Sequence, residues 1–174
     1  MIDGLKLAGL VFVAAIVQVS VLSPYATISG GTADVLLVTI VCIALLRGSI
    51  TGAIAGFAGG LLVDIATLGT LGVTALLLTV AGYWAGRYGE TTGRGRAHAV
   101  PLTVAVITIL YAFAGLGLYY MLGDGVSAHR VLVTALPPAV LLNLLIAWPV
   151  SRLCRALLGT PGTVERVREM ELGV

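Results

Sequence analysis

Six long apolar runs alternate with short polar segments along the chain. They cover residues 5–22, 35–46, 50–66, 71–88, 100–122 and 131–158. Because one membrane-spanning helix needs roughly 20 apolar residues, the pattern predicts a compact bundle of about six transmembrane helices. The second run is short for a span. We expect its helix to begin near Thr32, with Thr32 or Asp34 bonding the free amides of its first turn.

The composition points to a membrane as the solvent. The 174 residues are 59% hydrophobic and 10% charged, and the mean hydropathy is +1.07. A globule this small has too few polar residues to cover that much apolar surface, whereas a bilayer solvates apolar helix faces directly. The net charge is only +2 and the basic residues are scattered, so we set nucleic-acid partners aside. We expect an all-α membrane protein.

The distribution of Lys and Arg predicts how the bundle is oriented. An N-terminus on the inside places nine of the ten basic residues on the cytoplasmic side and leaves only Arg130 outside. An odd number of spans would place the last arginines of the chain outside, so the excess of basic residues on the cytoplasmic side also favours an even number of spans. We therefore expect cytoplasmic N- and C-termini, one transmembrane domain over residues 1–158, and a short cytoplasmic tail over residues 159–174.

Glycines recur at every fourth position in the third apolar run, and a shorter echo occurs in the fourth. Residues four apart lie on nearly the same helix face, so each run presents a groove against which another backbone can pack closely. The groove either packs inside the chain's own bundle or receives a partner's helix. The helix-packing or partner-docking candidates are Gly48, Gly52, Gly56, Gly60, Gly82 and Gly86.

Four polar side chains lie within or beside the apolar runs: Gln18, Asp34, Asp64 and Asn143. Gln18 and Asn143 are expected to make hydrogen bonds between helices. Asp64 lies sixteen residues after Gly48, or roughly 24 Å along a helix, near the outer edge of the hydrocarbon core. It either anchors a loop by bonding its amides or belongs to an ion path, although no second deep ionisable group is found.

The sequence contains no catalytic, cofactor-binding or metal-binding pattern, so a catalytic function is disfavoured. Cys42 and Cys154 are expected to lie too far apart to pair. The aromatic residues, Tyr111 among them, are expected near span ends as interfacial anchors. Three prolines should kink the sixth span or shorten it: Pro137, Pro138 and Pro149.

Several of these elements, in order, resemble the bacterial rod-shape-determining membrane protein family MreD. The similarity covers most of the chain and is strongest between Gln18 and Arg87. One departure is Ala33, where the family often has Pro. The matching elements are Gln18, Asp34, Leu45-Leu46-Arg47-Gly48, Gly56-Phe57, Gly60-Leu61-Leu62-Val63-Asp64, Leu71-Gly72, Gly82-Tyr83, Pro137, Asn143 and Pro149.

The resemblance implies a non-catalytic, multi-pass scaffold in the bacterial plasma membrane, within the complex that elongates the side wall. Its implied partners are an MreC-like bitopic protein, the elongation-complex polymerase and transpeptidase, an MreB-like actin filament and membrane lipid, with no cofactor. Self-association is left open. The family's fold is similar to the substrate-binding subunits of energy-coupling-factor transporters.

That similarity in fold supplies the main alternative function, an uptake subunit. It would need a polar pocket near the external face, for which Asp34, Asp64, Asp124 and Arg130 are the charged candidates. The first span lacks the Ala-x-x-x-Ala docking motif that such subunits carry. A lipid-modifying enzyme or flippase is a third interpretation, and the chain lacks the acids and the basic head-group pocket that it would require.

Overall fold

The computed structural model describes residues 2–22, 27–28, 31–68, 70–92, 99–123 and 129–159. The predicted all-α architecture is confirmed over this part of the chain, and the helices follow the apolar runs to within a few residues. The helices are α1 (Ile2–Val17), α2 (Val35–Arg47), α3 (Ser49–Thr67), α4 (Val73–Thr92), α5 (Ala99–Met121) and α6 (Leu136–Leu158).

Two π-helical segments and one small β pairing complete the described structure. The π segment Gln18–Leu22 continues α1, and the π segment Arg130–Ala135 leads into α6. Between α1 and α2, strand β1 (Thr27–Ile28) pairs antiparallel with β2 (Gly31–Thr32). The sequence did not predict this pairing, because two-residue strands leave no hydrophobic periodicity to detect.

Three helices of the described chain are long and apolar enough to cross a membrane: Ser49–Thr67, Val100–Met121 and Val131–Leu158. Two shorter apolar helices, Gly4–Ser20 and Val35–Arg47, accompany them. Of the two expected effects of the prolines, a kink or a shorter span, shortening does not occur. Pro137 and Pro138 lie in the first turn of α6, where a missing amide costs little, and the helix continues past Pro149 to Leu158.

Helix α2 forms the centre of the bundle. It contacts all five other helices, and every residue from Leu36 to Leu46 is buried. A helix that is apolar on all sides must be surrounded by protein or by lipid, and here protein surrounds it. The central position explains why a helix of 13 residues is sufficient, since it lies inside a wall of longer helices.

Polar contacts tie four helix ends together at one end of the molecule, which we call the inner end. The Arg47 guanidinium donates a hydrogen bond of 2.9 Å to the carbonyl of Leu158, at the end of α6. The Ser49 amide and hydroxyl donate bonds of 2.9 Å and 3.1 Å to the carboxylate of Glu90, in the last turn of α4. A basic group at a helix C-terminus complements the exposed carbonyls and the helix dipole there.

The cysteines are closer than expected. The prediction that Cys42 and Cys154 lie far apart is wrong, because the two thiols are close enough to interact. Both are buried and free. The reason is that α2 is central and packs along α6, and each cysteine lies within five residues of the inner end of its helix.

Candidate functional site

The glycines of α3 and α4 bring these two backbones into direct contact. A Cβ atom on Gly52 would lie only 2.6 Å from the carbonyl oxygen of Gly82, and a Cβ atom on Gly82 would meet the carbonyl of Gly52. The two glycines therefore face each other across the interface. Neither position has room for a side chain, because the opposite backbone obstructs both and the Ala44 side chain of α2 also obstructs Gly52.

The same contact continues along both helices in antiparallel register. A Cβ atom on Gly56 would lie 2.6 Å from the carbonyl carbon of Leu78, and one on Gly60 would lie 2.6 Å from the amide nitrogen of Ala75. At the inner end, a Cβ atom on Gly86 would lie 2.6 Å from the carbonyl carbon of Gly48. We call this surface, made by Gly52, Gly56, Gly60, Gly82 and Gly86, the glycine interface.

Gly48 differs from the other ladder positions. It lies in the turn between α2 and α3 with a φ of 99°, a conformation that residues with a Cβ rarely adopt. The helical part of the ladder therefore begins at Gly52. In this chain α4 fills the groove of α3, which corresponds to the first of the two interpretations, packing within the bundle.

Asp64 extends the contact between α3 and α4 at the opposite end of the bundle, which we call the outer end. Its side chain is 2% exposed. One carboxylate oxygen accepts bonds from the amides of Gly72 at 2.8 Å and Ala75 at 3.3 Å, and the other accepts from the Thr74 amide at 3.3 Å. These amides begin α4 and have no partner within the helix, so the carboxylate satisfies them and complements the helix dipole. This geometry is that of a loop anchor.

A second group of polar side chains closes the buried start of α2. Asp34 is its N-cap and accepts a 2.8 Å bond from the Leu37 amide, so the helix begins at Val35 and Thr32 lies in β2. The Gln18 side chain accepts a 2.9 Å bond from the Val35 amide and donates one of 3.2 Å to the Ala33 carbonyl. Gln18 thus replaces the missing helical partner of one amide.

Asn143 brings α5 and α6 to the same point. Its amide oxygen accepts a 2.7 Å bond from the Asp34 backbone amide, and its amide nitrogen donates a 3.1 Å bond to the hydroxyl of Thr108. Asn143 is 1% exposed and Thr108 is 5% exposed. Sequence reasoning selected Asn143 but missed Thr108, because a lone threonine in an apolar run gives no signal of its own.

A cavity of about 170 Å³ adjoins this network. Its polar lining comes from Asp34, Thr108, Tyr111 and Asn143. Apolar side chains of α2, α5, α6 and the π segment before α6 complete it. The expectation that Tyr111 is an interfacial anchor is wrong, because it lies in the middle of α5, partly buried. Residue spacing alone could not show that this tyrosine faces a polar recess and not lipid.

In the described chain, Asp34, Asp64 and Asn143 accept hydrogen bonds from backbone amides at helix starts. Every buried side-chain nitrogen or oxygen in that part has a hydrogen-bond partner, and no group of three or more His, Cys, Asp or Glu residues is found there. The carboxylates of Asp34 and Asp64 each accept bonds from backbone amides at a helix start. Their chemistry in this arrangement is that of fixed acceptors.

Comparison with known proteins identifies the family. The family model described as rod shape-determining protein MreD matches residues 3–159, a stretch that contains almost all of the six helices. No curated protein and no solved structure gives a significant match. The family is associated in general with the MreB and MreC shape complex and is not known as an enzyme family. The chain belongs to the MreD family of rod shape-determining membrane proteins.

Proposed function

We propose that this protein is a non-catalytic scaffold that links components of the side-wall elongation complex in the bacterial plasma membrane. Its partners are an MreC-like bitopic protein, the peptidoglycan polymerase and transpeptidase, and an MreB-like filament. The observation that carries the proposal is the family match over residues 3–159. The commitment of Asp34 and Asp64 to helix starts supports it, since these acids serve the architecture.

The proposed topology has six spans with both termini cytoplasmic, formed by one domain over residues 1–158, with residues 159–174 as a cytoplasmic tail. Arg47 and Arg87 support this orientation, because both lie towards the inner end of the bundle. Arg152 is also near that end and stacks 4.0 Å above the ring of Trp148. An aromatic ring with a stacked cation suits a membrane interface, and basic residues favour the cytoplasmic face.

We assign the glycine interface to internal architecture and the docking of partners to other surfaces. Helices α3 and α4 occupy each other's glycine faces, so these faces have no room for a third helix. By contrast, α6 exposes large apolar side chains such as Leu141 at 68%, Leu145 at 77% and Trp148 at 63%. A scaffold of this form presents a rigid core and offers its outward helix faces to lipid and to partner helices.

Co-purification tests the proposal. The tagged chain, extracted from its own cells in a mild detergent, should recover the MreC-like protein together with the polymerase and transpeptidase. The variant Gly56→Leu should lose accumulation and recovery together, because its side chain would meet the Leu78 backbone. The control is Gly117→Leu in α5, where an added Cβ meets nothing within 4 Å.

The outcomes separate the possible functions. A folded, abundant chain that recovers none of these proteins would contradict the scaffold. Clean recovery of an energy-coupling-factor ATPase complex would favour the uptake-subunit alternative instead. If Gly117→Leu accumulates normally but loses only the MreC-like protein, the scaffold stands and the partner's contact lies on that face of α5.

A further inference from the structure

We propose that the cavity beside Asp34 is a water-filled recess that opens towards the outer end of the bundle and reaches about half-way through it. We call it the outer recess. It takes water and small hydrogen-bond-donating or cationic species as its ligands. The proposal rests on the topology put forward above, in which the outer end faces away from the cytoplasm, and on four observations about the depth, lining, direction and charge of the cavity.

The first observation is the depth at which α2 begins. Asn143 bonds the backbone of Asp34, and Thr108 bonds Asn143, so these three residues share one level. From that level α5 continues thirteen residues to Met121, and α6 with its π segment extends thirteen residues back to Arg130. Thirteen helical residues are about 20 Å long, so the start of α2 lies deep below the outer end.

From the same level, α2 extends a similar distance in the opposite direction, towards the inner end. Its 13 residues run from Val35 to Arg47 at the inner end, again about 20 Å. The total of about 40 Å equals the thickness of a bilayer with its head-group regions, which places Asp34 near the middle. The β2 strand, which is separated from Asp34 only by Ala33 and contacts α6, therefore lies at membrane depth. Non-helical backbone at such depth must be buried in protein or line a cavity that holds water.

The second observation is the polar lining. Four oxygen- or nitrogen-bearing side chains from two helices and a helix start converge on the cavity: Asp34, Thr108, Tyr111 and Asn143. Tyr111 lies three residues after Thr108 on α5 and lines the same cavity. A volume of about 170 Å³ holds roughly five waters, and a water needs two to four polar partners, which this lining provides.

The third observation is the direction of the cavity. Its lining reaches from Asp34 and Asn143 up to Val131, in the π segment that precedes α6. Twelve residues separate Asn143 from Val131, or roughly 18 Å at the helical rise, so the recess extends towards the outer end. The larger cavity between α4 and α5, about 520 Å³, has an almost entirely apolar lining, including Leu76, Val80 and Leu110. Lipid tails suit that surface, and water does not.

The fourth observation is the charge. Among the described residues of the lining, Asp34 is the only acid, and there is no Lys, Arg or His. The remaining polar atoms are mainly hydroxyl and amide oxygens, which accept hydrogen bonds. Such a lining admits water, hydroxyl groups and cations in preference to anions.

The accessibility of introduced thiols to silver ions tests the recess. In a Cys42→Ala/Cys154→Ala background, Ala139→Cys places a thiol in the lining of the recess on α6. The matched control, Leu141→Cys, lies two residues away on a face that is 68% exposed to the surroundings. Silver ions in chloride-free buffer are small enough for the cavity, and they bind thiolates, which form in water and not in lipid.

Right-side-out spheroplasts are exposed to silver, and the thiols left free are then counted with a maleimide mass tag after denaturation. We expect silver to protect the Ala139→Cys thiol from the maleimide at least tenfold faster than the Leu141→Cys thiol. The additional change Asp34→Asn should slow the protection of the Ala139→Cys thiol. A second pair, Ala112→Cys and Leu110→Cys on α5, repeats the comparison if the first lining variant does not accumulate.

Equal protection of the lining and control thiols would show a dry cavity and would overturn the proposal. Protection of Ala139→Cys from the cytoplasmic side alone, measured in inverted vesicles, would overturn the outward opening. Neither result depends on whether the chain binds an MreC-like protein, so failure of the recess and failure of the scaffold are distinguishable.

Discussion

At the scale of single residues, polar side chains in this protein act mainly by completing helix ends. Gln18, Asp34 and Asn143 serve the start of α2, and Asp64 serves the start of α4. All four could be selected from the sequence as candidate hydrogen-bonding residues, because each is a polar residue within or beside an apolar run. Thr108 and Tyr111 could not be selected in this way, since threonine and tyrosine are ordinary in a membrane helix and only the fold brings them to Asn143 and Asp34.

Substitutions at Asp64 should separate a capping role from a transport role. Asp64→Asn keeps one acceptor oxygen and should cost about 1 kcal/mol, whereas Asp64→Leu leaves three amides without an acceptor and should cost about 3 kcal/mol. Unfolding in mixed micelles with increasing dodecyl sulfate measures both. The control is Thr67→Ala in the last turn of α3, whose hydroxyl bonds only its own helix, and it should change stability by less than about 0.5 kcal/mol. Equal losses for the two Asp64 variants would contradict a cap.

The pair Asn143 and Thr108 should be energetically coupled. Asn143→Ala removes the acceptor for the Asp34 amide as well as the donor to Thr108, so we expect a loss of about 2 kcal/mol, and Thr108→Val should cost less. A double-mutant cycle in the same micelles should give a coupling of about 0.6 kcal/mol or more. Additive losses would show that the bond contributes nothing.

At the scale of elements, the hydrophobic pattern located all six helices. The apolar runs and the helices agree because a membrane leaves few alternatives to a helix once about 20 apolar residues follow each other. The sequence predicts that α2 is short and that Thr32 or Asp34 caps its start, and in the structure Asp34 is the N-cap. The β pairing and the central position of α2 could not be predicted, since both depend on contacts between distant elements.

Alanine substitutions should show which glycines form the close contact between helices. Gly56→Ala places a Cβ against the Leu78 backbone and should destabilise the protein by about 2 kcal/mol, as overpacking of a tight interface does. Gly117→Ala in α5 meets nothing within 4 Å and should stabilise its helix by up to about 1 kcal/mol. Micelle unfolding of the two variants measures the contrast. Stabilisation by Gly56→Ala would disprove the glycine interface.

At the scale of the whole molecule, α2 forms a buried centre that all five other helices contact, and α3 and α4 pack against each other through the glycine interface. The two cysteines provide a test of this arrangement. They are in contact only if α2 packs along α6 with Cys42 and Cys154 at the same depth. Diamide should therefore join Cys42 and Cys154 within one chain, taking two electrons and two protons from the thiols as it is reduced to the hydrazine. Intact mass and tryptic mapping detect the bridge, and Cys42→Ala should abolish it. Disulfide-linked dimers with no internal bridge would contradict the helix order.

The family match supports our proposal that the chain maintains rod shape by holding other proteins in the membrane. The most direct test is to deplete it in the cells that naturally carry it and to measure cell width and the incorporation of new side-wall peptidoglycan. The account predicts that cells widen, that incorporation loses its side-wall pattern, and that the wild-type chain restores both, as Gly117→Ala also should, while Gly56→Leu should not. Unchanged width and pattern after complete depletion would contradict it.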